Sequence, residues 1–217
     1  MIEAIKKIFD FILHIDVHLT EIVSNYGTLT YVVLFLVVFC ETGLVVTPFL
    51  PGDSLFFAAG AISASSGLNV VLTIVVCMVA AIVGNTVNFA IGKRVGPAIF
   101  NKESRFIKKE YLEKTKAFYD KHGTKAIVLS RFLPIFRTFV PFIAGIAGMN
   151  PFKHLVYNIV GAVLWVNIFV LGGYFFGSIP FVQNNFSLVI IGILVVTVLP
   201  AVITVIKAKF FPDKEVL

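Results

Sequence analysis

Four ionisable residues stand inside long apolar stretches of the sequence: Glu41, Asp53, Arg131 and Arg137. An acid or arginine at the bilayer centre costs about 2.5 to 3.5 kcal/mol even on lenient insertion scales, so such groups must pair or reach water. Two acids in one segment and two bases in another sum to zero formal charge. That balance predicts two segments facing each other around one shared polar cavity. Arginine keeps its charge when partly desolvated and offers a planar fork of donors matched to phosphate oxygens. Arg131 and Arg137 do not share a helical face, yet a chain broken at Pro134 can turn both toward one anion, which suits a lipid phosphate. Desolvation and a neighbouring arginine act on a carboxyl in opposite senses, which makes Glu41 or Asp53 a candidate for proton coupling or gating. The competing readings are structural. Both arginines could simply neutralise the acids, and Asp53 in Pro-Gly-Asp-Ser could cap a helix beginning at Ser54.

The elements around these residues must place charge at membrane depth. Pro48 and Pro51 each remove an amide donor, and Gly52 permits backbone angles other residues resist. Leu29 to Thr47 followed by Ser54 to Ser63 therefore reads as a helical hairpin. Pro134 and Pro141, bracketing Arg137, repeat the pattern as a second break. Lipid cannot satisfy freed backbone groups, so both turns must be buried in protein or face water. Of the 217 residues, 58% are hydrophobic and 14% charged, against roughly 25% charged in soluble domains. The fold class this implies is an all-α integral membrane protein: a helical bundle with two opposed re-entrant hairpins in an inverted repeat, plus an N-terminal amphipathic helix. The predicted divisions are 1–25 for that helix and 26–210 for the membrane domain. Within the latter come a first hairpin at 29–64, a span at 68–92, a basic cytoplasmic connector at 93–123, a second hairpin at 124–149, and spans at 155–177 and 186–206. A cytoplasmic tail occupies 207–217. Paired broken segments in matching positions of two halves point to a site at their interface.

Charge and composition exclude several classes. The stretch from Lys93 to Lys125 holds ten Lys/Arg against four Asp/Glu, which places it on the cytoplasmic side; lysines near each end predict cytoplasmic termini. The basic charge reports topology and anionic lipid, so no nucleic-acid partner is expected. Cys40 and Cys77 lie in apolar runs and read as small buried hydrophobes. The four histidines lack ligand spacing, so neither a metal nor another cofactor is expected. Asn85, Asn88, Asn158 and Asn167 read as hydrogen bonds between helices. Gly145, Gly148, Gly172 and Gly173 read as close-packing positions, and Trp165 as core or lipid-facing.

Two stretches, "FCETGLVVTPFLPGDSLFFAAGAI" and "GTKAIVLSRFLPIFRTFVPFIAGIAGM", resemble the DedA family of bacterial inner-membrane proteins, part of the VTT-domain superfamily. The resemblance runs from about Tyr26 to Lys207. It implies paired re-entrant hairpins and a transporter, not an enzyme, whose substrate is undecaprenyl phosphate or another anionic phospholipid. It also implies links to the proton motive force and to envelope synthesis. The family's important acids fall on Glu41 and Asp53 and its important arginines on Arg131 and Arg137. The expected partners are the anionic lipid, protons and the bilayer; a homo-oligomer is compatible with the sequence. The alternative is a proton-coupled antiporter for cations or cationic drugs, which explains the acids but leaves two arginines repelling the substrate. A lipid phosphatase is disfavoured because no Ser-Gly-His motif follows "KAIVLSRFLP", and a non-transporting membrane organiser is a further reading.

Overall fold

A computed structural model describes residues 21–23, 25–44, 52–65, 68–100, 119 and 122–210. Among these the regular structure is helical and no strand occurs. Residues 1–20 of the predicted N-terminal helix, the body of the connector at 93–123, the breakers Pro48 and Pro51, and the last residues of the tail lie outside the described residues.

The helices are α1 (Leu29–Gly43), α2 (Gly52–Ser65), α3 (Val70–Phe100), α4 (Ala126–Ser130), α5 (Pro134–Ile146), α6 (Pro151–Phe176), α7 (Pro180–Asn184) and α8 (Phe186–Phe210). A 3-10 turn, Gly123–Lys125, leads into α4. Prolines set several starts. Leu133 is extended, as a residue before proline prefers, and Pro134 then opens α5 where no amide donor is needed. Asn150 caps α6, accepting from the N–H groups of Phe152 and Lys153 just ahead of the Pro151 turn.

Three details differ from the sequence expectations. Pro141 does not break the chain; it is carried inside α5, which continues to Ile146. A proline within a helix removes a single donor, and burial of the surrounding Phe139, Val140, Phe142 and Ile143 offsets that loss. The span ending at 92 instead continues to Phe100, because a change from apolar to charged side chains alters the preferred solvent and leaves backbone hydrogen bonds intact. Gly148 closes α5 with a left-handed φ of 71° and open space around it. Its N–H donates to Gly145 O and the N–H of Met149 to Ala144 O, a Schellman closure.

The distribution of side chains is that of a lipid-embedded bundle. On α3, Val71, Val75, Val79, Val83, Val87, Ile91 and Val95 are exposed in a four-residue stripe, while Thr73, Cys77, Ala80, Ala81, Asn85 and Asn88 are buried. Small and polar groups thus face the protein and large apolar ones face outward. Among the described residues, α3 over Val70–Val95 and α6 are the helices long and apolar enough to cross a membrane. Helix α2 is buried from Gly52 to Ser63, as a helix apolar all round must be.

The packing exchanges partners between the halves. Helix α2 packs chiefly on α6, and α5 chiefly on α3. Each contact is a reciprocal glycine approach: a Cβ at Gly60 would meet Val170 O, and one at Gly173 would meet Phe57 O. In the other pair a Cβ at Gly145 would meet Phe89 O, and one at Gly92 would meet Phe142 O. Backbones this close leave no room for a side chain on either helix.

Candidate functional site

The four charged residues come from three short elements and one helix end. Glu41 lies in the last turn of α1 and Asp53 in the first turn of α2. Helix α2 begins at Gly52, so Asp53 sits inside the helix and does not cap it from outside. A carboxylate there is still favoured by the unpaired N–H groups of the helix start. Arg131 follows α4 directly, and Arg137 lies in the first turns of α5. All four are buried, with at most 5% of any one exposed.

The two arginines are held differently. Arg137 Nη2 forms an ion pair with Glu41 Oε1, and Arg137 Nη1 donates to Asp53 Oδ1 at 3.4 Å. Arg131 Nη2 donates instead to Asn158 Oδ1 at 2.5 Å and to Ala81 O at 3.3 Å. No carboxylate pairs with Arg131 among the described residues, and its Nε is buried without a hydrogen-bond partner there. One cation is therefore neutralised by two acids while the other rests on neutral acceptors.

Gly52 has a tighter duty than turn geometry. Its φ is not left-handed; its N–H donates to Glu41 Oε1 at 3.0 Å, and a Cβ at position 52 would run into that carboxylate. The other oxygen, Glu41 Oε2, is buried with no hydrogen-bond partner among the described residues.

A framework of amides surrounds the charges. Asn88 Nδ2 donates to Thr42 O at 3.2 Å and to Thr138 O at 3.0 Å. These carbonyls belong to the neighbours of Glu41 and Arg137, so one amide ties α1 to α5 beside their ion pair. Asn158, besides accepting from Arg131, donates to Ile82 O at 3.0 Å and Thr86 Oγ1 at 3.1 Å. His154 Nε2 lies 3.1 Å from Asn85 Oδ1, and its ring stacks on Phe89 at 4.1 Å between centroids. Asn167, in contrast, donates among the described residues only to the carbonyl of its own helix at Val163.

Trp165 occupies the middle of this arrangement and is fully buried. Its indole N–H donates to Asp53 Oδ1 at 2.7 Å. The guanidinium carbons of Arg131 and Arg137 lie 5.5 and 5.6 Å from its ring centroid, within cation–π range. Phe56 meets it edge-on at 4.6 Å. Among the described residues no group of His, Cys, Asp and Glu is arranged to hold a metal ion.

The comparisons with known proteins select a family. The VTT domain matches residues 50–175, and the Escherichia coli K12 protein DedA is 53% identical over 210 residues, 95% of this chain and 96% of its own length. The chain belongs to the DedA family. A more distant DedA-family relative, the inner membrane protein YghB of the same E. coli strain, is 31% identical over 209 residues, 93% of this chain and 92% of YghB. An uncharacterized membrane protein of Mycobacterium leprae is 43% identical over 168 residues, 77% of this chain and 75% of its own. These relatives and the apolar α3 and α6 make this member a bacterial inner-membrane protein. No solved structure matches the chain.

Within this DedA-family chain, Asn88 and Asn158 form the expected bonds between helices, and Trp165 and His154 are the site neighbours that sequence reasoning did not single out. A signal was present in α6: His154, Asn158, Gly161 and Trp165 recur at helical spacing and form one buried stripe. Gly161 belongs to it because a Cβ there would press on the Arg131 side chain.

Proposed function

We propose that the chain moves an anionic phosphate-bearing lipid, undecaprenyl phosphate first among them, across the inner membrane in a proton-coupled cycle. The observation that carries this reading is the unequal holding of the arginines. Both acids converge on Arg137, whereas among the described residues buried Arg131 has only neutral hydrogen-bond acceptors. A buried cation of this kind is a counter-ion for an entering anion, and its guanidinium fork suits phosphate oxygens. The headgroup enters between the hairpins while the hydrocarbon tail stays in lipid.

The acids supply the release step by competition. A proton on Glu41 or Asp53 weakens that group's hold on Arg137, which then joins Arg131 on the phosphate. Loss of the proton restores the competing carboxylate and expels the lipid. No covalent bond changes, so the cycle is transport and not catalysis, and it needs no cofactor.

Movement in this reading comes from two re-entrant hairpins, α1–α2 and α4–α5, in an inverted repeat with the site at their interface. The reciprocal glycine contacts of α2 with α6 and of α5 with α3 support it. The basic stretch from Lys93 to Lys125 supports a cytoplasmic connector, and Lys6, Lys7, Lys207 and Lys209 support cytoplasmic termini.

The test is a purified, reconstituted protein in liposomes loaded with undecaprenyl phosphate in one leaflet, with and without a pH gradient. Gradient-sensitive movement, lost in Arg131→Ala and impaired in Glu41→Gln, Asp53→Asn and Arg137→Lys, is expected. Folded protein that moves no lipid, or four variants that all retain movement, would overturn the reading.

A further inference from the structure

We infer that Trp165 is a positioning residue of the transport site: its indole fixes Asp53 and lies within cation–π reach of both guanidinium groups, and so sets the pH at which protons and lipid phosphate exchange. This rests on the transport reading above and adds to it a residue that carries no charge.

Three contacts place Trp165 in that role. Asp53 Oδ1 receives the indole N–H at 2.7 Å and the Arg137 Nη1 donor only at 3.4 Å. The shorter bond is therefore to the neutral ring, and Trp165 fixes the direction the carboxylate points. The ring also lies at nearly equal distances from both arginines, so one neutral group is shared by two like charges in a poorly screened interior. An aromatic ring is suited to this because its π-system attracts each cation without supplying a charge of its own.

The surroundings of Asp53 make its proton affinity responsive to that bond. The ionisable groups about it are Arg137 on α5, Glu41 on α1 through their shared guanidinium, and Arg131, which shares the indole ring with it. Thr197 on α8 adds a neutral hydroxyl. Helix α3, packed on both halves, offers Asn85 and Asn88 and, between Val70 and Gly92, no ionisable residue except Cys77. A hydrogen bond to a carboxylate favours its ionised form. Removing the indole donor therefore moves protonation to higher pH.

The chain has a single tryptophan, so its fluorescence reports this position without interference. Two measurements test the inference on full-length protein in liposomes. In the first, the transport–pH profile of undecaprenyl phosphate is compared between wild type and Trp165→Phe, which keeps the ring face and removes the N–H. The profile is expected to shift to higher pH by about one to two units, the worth of one hydrogen bond to a charged group. Superimposable profiles would overturn the inference and leave the transport reading standing. In the second, wild-type emission is followed against pH without any phosphorylated lipid. A transition present in wild type and absent in Asp53→Asn supports the coupling; a pH-independent wild-type spectrum overturns it. A wild type that moves no lipid defeats the transport reading, and the emission arm then still judges the link between Trp165 and Asp53.

Discussion

Gly52 and Glu41 are in direct contact: the backbone N–H of one donates to a carboxylate oxygen of the other at 3.0 Å, and no side chain fits between them. The residue that starts α2 thus holds the acid that ends α1. A methyl group at position 52 must displace that carboxylate, which would pull Glu41 away from Arg137. Gly52→Ala is expected to destabilise the protein by about 1–3 kcal/mol, the usual cost of overpacking. It is also expected to lower transport at least tenfold. Thermal unfolding in detergent and liposome transport are the two readouts, and an unchanged transport rate would refute the contact's importance.

The two arginines should separate in stability measurements. Arg137→Gln leaves Glu41 and Asp53 facing each other as buried acids without their shared cation, and removing one partner of a buried pair costs about 3–5 kcal/mol. Arg131→Gln removes a cation held by neutral acceptors and is expected to cost less than about 2 kcal/mol. Both variants should lose transport. Equal destabilisation of the two would contradict the division of partners described above.

Asn88 gives a third expectation. Asn88→Leu deprives two buried carbonyls, Thr42 O and Thr138 O, of their side-chain donor, at about 1–3 kcal/mol for each group left unsatisfied. A fall in unfolding temperature together with weaker transport is expected. Asn167→Leu is the comparison, since among the described residues that amide bonds only within its own helix, and it should change neither quantity.

The exchanged helix pairs predict matched behaviour. Gly173→Val and Gly145→Val each force a branched side chain into a backbone of the other half. Both should destabilise the fold by similar amounts. Gly192→Val, at a position with open space, should be tolerated. Unfolding temperatures of the three variants decide this, and a tolerated Gly173→Val would show that the close approach is dispensable.

Much of the site was legible because burying charge is expensive wherever it occurs. Glu41, Asp53, Arg131 and Arg137 stand out against apolar neighbours without any knowledge of the fold, and Pro134 marks a helix start by its missing donor. Trp165 was not legible in the same way: a large apolar ring is at home in any core, and the carboxylate that uses its N–H lies 112 residues away in sequence. Pro141 misled because proline is costly in a helix without being forbidden there. Gly52 was noticed for its backbone freedom, whereas the structure uses its missing side chain. The different holding of Arg131 and Arg137 has no trace in their own sequence context, because it is decided by which helices each one meets: α3 and α6 for Arg131, α1 and α2 for Arg137.

The exchange of partners between α2 with α6 and α5 with α3 also sets an order of events during biosynthesis. Asp53 leaves the ribosome 84 residues before Arg137, the cation it ends beside. Until then the first half holds two carboxylates without their countercharge, and α2 is without α6, the helix it chiefly packs on. The amino-terminal half is consequently an assembly intermediate that must be shielded from lipid, by the insertion machinery or by protons, until the carboxy-terminal half arrives.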